Sequence, residues 1–322
     1  MKSAGFMLLI LVVTACSSPQ KQKPEQVDDS NSGQQPAVSS VDLVKKYADF
    51  IRTLDSANVE SVSLAVKKFE ELFKESNPDL CDSAFVKFQH FYEKMETTAS
   101  LQVESDSVLQ KVYWDEVEKT REATSDFPVL KKYEKKLLRN GYRFEIWEGN
   151  LMAGTDRSFL EKHFYSMLSA PMRAFLKLCH SDDDNPFQHD AGIVISETEY
   201  VKRLIQWETF IKKNPDFIRI DRAREMYRMY FTYFLIGMDN TPAYDEVINE
   251  AGEEVLTDLD PYFKTAYTYL KKQYPNSLTY AKVKPYWKAV DEKNLDQMNQ
   301  LEKSYRKQGI MIDFSKDYNL YY

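Results

Sequence analysis

Phe69-Glu-Glu-Leu-Phe-Lys-Glu-Ser-Asn-Pro-Asp79 holds the end of one helix and the start of the next. Upstream, Val62, Ala65, Val66, Phe69, Leu72 and Phe73 recur at the spacing that puts them on one face of an α-helix. Pro78 cannot continue that helix, because it lacks an N–H and its ring collides with the preceding turn. It opens a new helix at little cost, since the N–H it lacks has no intrahelical partner there. Phe85, Phe88, Phe91, Tyr92 and Met95 give that new helix its apolar face. The same order of aromatic-ended helix, charged step, proline and new helix returns in Phe210-Ile-Lys-Lys-Asn-Pro-Asp216 and in Tyr269-Leu-Lys-Lys-Gln-Tyr-Pro-Asn276. The chain has 9 glycines and 12 prolines, too few for the closely spaced turns of an all-β protein. The reading is all-α: helical hairpins in an irregular array or bundle.

Outward from that stretch, Val41, Val44, Tyr47, Ala48, Ile51 and Leu54 predict the first helix. Further helices are expected over 107–122, 128–138, 158–168, 171–180, 197–213 and 218–238, with a polar loop over 181–190. Asn140-Gly141 is a helix-stop signal. Tyr142 to Trp147 alternates like a strand, with Tyr142, Phe144 and Ile146 on one side. A small β-hairpin over 142–155, at most one in the chain, is therefore expected, and 140–156 is the place where the body would subdivide. Gly237 fits a helix C-cap, Asp239 or Asn240 an N-cap, and Pro242 an early position of the following helix.

The N-terminus has a different character. Lys2 precedes the apolar run Phe6 to Val13, which is too short to span a bilayer, and Val13-Thr14-Ala15-Cys16 follows. These residues resemble the lipobox signal of bacterial lipoproteins. The resemblance implies that 1–15 is removed and that Cys16 becomes the acylated first residue of the mature chain. Ser17, in place of an inner-membrane retention aspartate, implies the outer membrane. Residues 16–40 are rich in Ser, Gln, Pro, Lys and Asp and cannot bury enough apolar surface to fold, which makes them a tether. The body is 41–322. The turn Tyr274-Pro275-Asn276-Ser277 with Ala281 resembles the helix–turn–helix units of tetratricopeptide-like outer-membrane lipoproteins. No regular period of about 34 residues accompanies it.

Composition narrows the function classes. The net charge is −7, from 43 basic and 50 acidic residues, which disfavours a nucleic-acid partner. Besides Cys16 only Cys81 and Cys179 remain; an oxidising envelope permits a disulfide, while their apolar helical surroundings favour two buried thiols. No HExxH, CxxC or GxSxG motif occurs, so neither a cofactor nor a metal is implied. His180 and His189 flank Asp182-Asp183-Asp184, but the glycine and closing glutamate of a calcium loop are missing, and a solvated acidic loop is the better reading.

Trp147, Glu148 and Asp239 are the candidate ligand-binding residues. Glu145 and Glu148 beside Trp147 have the composition of a sugar-cleaving carboxylate pair with an aromatic platform, although in a strand Glu145 shares a face with Trp147 while Glu148 points to the other. Asp239 lies in the most unusual loop of the chain, where capping also explains it. The dense aromatics, 21 Tyr and 19 Phe, read first as core between paired helices. The expected function is non-enzymatic: a membrane-anchored envelope scaffold that binds a protein or peptide, with the lipid bilayer reached through Cys16. The alternative is a glycan- or small-ligand-binding lipoprotein, and an envelope hydrolase stands third.

Overall fold

Asn77 caps the helix that Pro78 opens: its side chain accepts from the Leu80 N–H at 2.9 Å, and Pro78 occupies the first turn. The computed structural model in which this is seen describes residues 40–114, 128–147 and 150–315. Cys16, the tether and Glu148 therefore lie outside the described residues. The described residues begin with α1 (Ser40–Arg52), α2 (Ser61–Phe73), α3 (Pro78–Ser105), α4 (Ser107–Val112) and α5 (Pro128–Arg139). Strands β1 (Tyr142–Trp147) and β2 (Asn150–Thr155) follow, then α6 (Arg157–Phe164) and α7 (Ala170–Asp184). The short pair β3 (Gln188–His189) and β4 (Gly192–Ile193) leads to α8 (Glu197–Lys213) and α9 (Ile220–Ile236). Two more hairpins, β5 (Gly237–Met238) with β6 (Thr241–Pro242) and β7 (Glu246–Ile248) with β8 (Glu254–Leu256), precede α10 (Pro261–Gln273), α11 (Leu278–Asp291) and α12 (Leu295–Lys307).

The fold is all-α, as the sequence predicts. The 142–155 hairpin is present, with Tyr142 opposite Thr155 and Phe144 opposite Ala153. Among the described residues three shorter hairpins accompany it, where at most one hairpin in all was expected. No described helix is long and apolar enough to cross a membrane.

Aromatic rings fill the space between helices. Phe164 of α6 meets Phe69, Phe85 and Phe88 with ring centroids 4.5–4.9 Å apart, tying α2, α3 and α6 together. Further along the chain, Trp207, Phe210 and Phe217 surround Phe175, and Trp287 packs on Phe234 and Tyr267. Apart from the half-buried Tyr267, these rings are almost fully buried, and all of them belong to or pack against one core. The hairpin is fixed to α3 by hydroxyls: Tyr142 donates to the Tyr92 carbonyl at 2.8 Å, and Ser100 to the Ala153 carbonyl at 2.7 Å. Gly141 stands between them at φ +84°, where a Cβ would lie 2.6 Å from the Phe159 ring.

Two stretches differ from expectation. The loop expected over 181–190 begins later, because α7 continues through Asp184. Three aspartates at a helix C-terminus oppose the helix dipole; Arg203, from α8, offsets this by bonding both Asp182 and the Asn185 carbonyl at 2.8 Å. Likewise no helix begins at Asp239, Asn240 or Pro242. Gly237 does end α9, but at φ +78° and ψ −164° it turns the chain straight into a hairpin, and the next helix waits for Asp260 and Pro261. Cys81 and Cys179 are free thiols, and burial raises both, Cys179 to about 12.

Candidate functional site

The α1 and α3 helices lie side by side in the same direction, and an open groove follows their outer seam. It consists of two contiguous hollows of about 630 and 490 Å³ that share Ala48, Arg52 and Lys87. Its floor is apolar: Val44, Ala48 and Ile51 from α1, Leu80 and Phe91 from α3, and Leu54 at the far end. The spacing of Val44, Ala48 and Ile51, and of Leu80 and Phe91, places each set on one face of its helix.

The rim is basic. Lys45 and Arg52 stand on the α1 side; Lys87, His90 and Lys94 stand on the α3 side. Arg52 pairs with Asp49 at 2.9 Å, and His90 lies 3.8 Å from Glu93, both at exposed positions where ion pairs hold weakly. Lys45, Lys87 and Lys94 are exposed and form no ion pair among the described residues. Asp79 is the acid that lines the groove, at its α3 N-terminal end. An apolar floor between basic walls can bind an amphipathic surface. Sequence reasoning missed these residues. A signal existed: Lys87, His90 and Lys94 fall at i, i+3 and i+7, one face of one helix.

The predicted candidates are distributed elsewhere. Trp147 is the last residue of β1 and pairs with Asn150. Glu145 does not meet a carboxylate of its own strand. It reaches across β2 at Gly154, where a Cβ would fall 2.1 Å from its carboxyl carbon, and borders a hollow of about 390 Å³ with Glu96 and Glu104. Arg143 pairs with it at 3.1 Å. Burial raises the Glu96 carboxyl, against the hydrogen bond it accepts from the Thr155 hydroxyl at 3.1 Å, and neighbouring Glu145 adds to the rise. No group of three or more His, Cys, Asp or Glu able to hold a metal occurs among the described residues.

Asp239 is exposed at the β5–β6 turn, on a different hairpin from Trp147. Its neighbour Asn240 docks that turn on the β3–β4 tip: the Asn240 backbone N–H donates to the Ala191 carbonyl at 2.9 Å, and its side chain donates to the Asp190 carbonyl at 2.5 Å. Asp190 and Ala191 adopt φ of 48° and 52°, the left-handed pair that a two-residue hairpin turn needs. The tips thus brace each other through backbone.

The acidic end of α7 is an ion-pair network in the interior. Arg203, 3% exposed, bonds Asp182 at 2.8 Å and Glu199 at 2.9 Å, and the Tyr230 hydroxyl also donates to Asp182. Burial pushes the Asp182 carboxyl up, while Tyr230 and Arg203 draw it back. His180, one turn away, is lowered to about 4 by burial, with the Arg157 guanidinium contributing in the same direction. No family model, curated protein or solved structure matches this chain.

Proposed function

We propose that this chain is a lipid-anchored bacterial envelope protein that holds a partner protein or peptide, without chemistry, in the α1–α3 groove. The observation that carries the reading is the groove itself: an apolar floor left open on the first helix of the body, walled by cations in a chain of net charge −7. Apolar seams between helices are normally covered, and an open one with a polar rim is the usual form of a protein-binding surface. The lipobox resemblance at Val13–Cys16 supports the anchor, and the polar stretch that follows supplies reach between anchor and α1. Irregular helical hairpins that present such surfaces are consistent with the tetratricopeptide-like resemblance.

Two measurements test this. Labelled palmitate should enter the parent chain and not a Cys16→Ala variant. A photo-crosslinking residue at Ala48 or Ser83 should trap one dominant envelope protein in living cells, less so in the Cys16→Ala background. Adducts formed equally from an exposed helix far from the groove, such as at Thr265, would reject the groove as the site.

A further inference from the structure

We infer that the occupant of the α1–α3 groove is an acidic amphipathic helix of a protein partner. The inference rests on the proposed binding role and adds the chemistry of what is bound. The groove runs along α3 from Leu80 to Lys94, which at helical rise is about 21 Å, the length of roughly four turns of a bound helix. Both walls are helices, so no sheet edge lines the groove to receive an extended strand, and a helix laid in the seam matches ordinary helix-on-helix packing. An apolar stripe on that helix would cover the half-buried Val44, Ala48 and Leu80, with the buried Ile51 and Phe91 beneath them. Carboxylates flanking the stripe would meet Lys45, Lys87 and Lys94, which have no ion pair among the described residues.

Charge complementarity selects the partner's sign. Elsewhere the chain is acidic in balance, yet five basic side chains border this seam against one lining acid, Asp79. A basic helix would be repelled. An anionic lipid surface fits less well: the site is concave, a bilayer is flat, and the net charge of −7 opposes approach.

The test uses the mature lipidated protein in neutral detergent and two fluorescent peptides of about 16 residues. Both carry the same leucine stripe; one has glutamate on the flanks, the other lysine. The glutamate peptide should bind at least about tenfold more tightly, and raising salt from about 50 to about 300 mM should weaken it. The K45E/K87E/K94E variant should lose that binding by about tenfold or more, with K45Q/K87Q/K94Q intermediate and both keeping the parent's circular dichroism. Equal binding of the two peptides, or unchanged binding by the reversed variant, would overturn the inference. So would binding of phosphatidylglycerol vesicles by the Cys16→Ala protein with no response to either peptide. A partner crosslinked at Ala48 without any preference for the glutamate peptide leaves the binding role standing and removes the acidic helix. Charge-selective peptide binding without a cellular adduct upholds the groove chemistry and removes the scaffold role.

Discussion

Arg203 is 3% exposed and meets Asp182, Glu199 and the Asn185 carbonyl, whereas Lys45, Lys87 and Lys94 stand in solvent along the α1–α3 groove with no ion pair among the described residues. The first arrangement uses charge to complete a fold. Its guanidinium satisfies a helix end that three aspartates would otherwise destabilise, and its own desolvation is offset by bonds in several directions. The second leaves charge uncommitted beside an apolar floor, where it contributes almost nothing to stability. Perturbed ionisation marks the first region. A perturbed, buried cluster is a common pointer to function; here its bonds account for it as structure, and the surface lysines border the open apolar groove.

The largest effect should come from breaking the buried network. Arg203→Met leaves Asp182 buried without its cation and should cost about 3–5 kcal/mol in urea unfolding. Adding Asp182→Asn should return part of that loss, because the orphaned charge is gone. A loss under about 1 kcal/mol for Arg203→Met would show that solvent reaches the pair and that the contrast drawn above is false.

Next in size is Gly237→Ala. At φ +78° and ψ −164° the backbone is in a region only glycine occupies comfortably, and a Cβ would lie 2.3 Å from the Ala243 nitrogen. Because the obstacle is backbone, the α9 exit and the β5–β6 hairpin must move, at about 3 kcal/mol or more. Thermal unfolding reads it, and near-parental stability would mean that the hairpin tips rearrange freely.

These cases also show what the sequence makes legible. The stop at Pro78 can be read because cap, proline and apolar period sit within a few residues, and they form as expected. So can the β1–β2 hairpin, since alternation and Asn140-Gly141 are local signals. The end of α7 cannot. Asp182 to Asp184 look like loop residues until Arg203, on another helix, bonds Asp182 and the Asn185 carbonyl. Asp239 misleads for a related reason: glycine, aspartate and proline serve a helix cap and a tight hairpin equally, and the choice is made by the docked tip at Asp190 and Ala191. The groove is hidden because Lys45 and Lys87 sit on separate helices, and each alone resembles an ordinary solvated face.

A smaller effect should separate the two regions by pH. His180 is neutral in the fold, lowered to about 4, whereas an unfolded histidine protonates near 6.5. The unfolded state therefore takes up the proton first. The stability held above about pH 6.5 should fall as pH drops towards 4, by about 1–2 kcal/mol given solvent screening of a half-buried ring. His180→Gln should flatten the slope between about pH 6.5 and 5. If the slope survives, another group titrates there and His180 is not the source.

The smallest effect on stability should come from the groove, and its smallness is what gives it meaning. Reversing Lys45, Lys87 and Lys94 together should shift unfolding by no more than about 0.5 kcal/mol per site, since exposed charges rarely contribute more. The new carboxylates would face Asp79 and Asp49, so any shift should be destabilising and should shrink as salt is added. A residue kept for the fold shows itself in unfolding; a residue kept for a partner shows itself only when the partner is present. The lysine reversals should therefore be nearly silent in urea and plain in binding, and Arg203→Met the reverse at a temperature where the variant remains folded. If the reversals cost as much as Arg203→Met, the lysines are structural and the groove is a seam of the fold that happens to reach the surface.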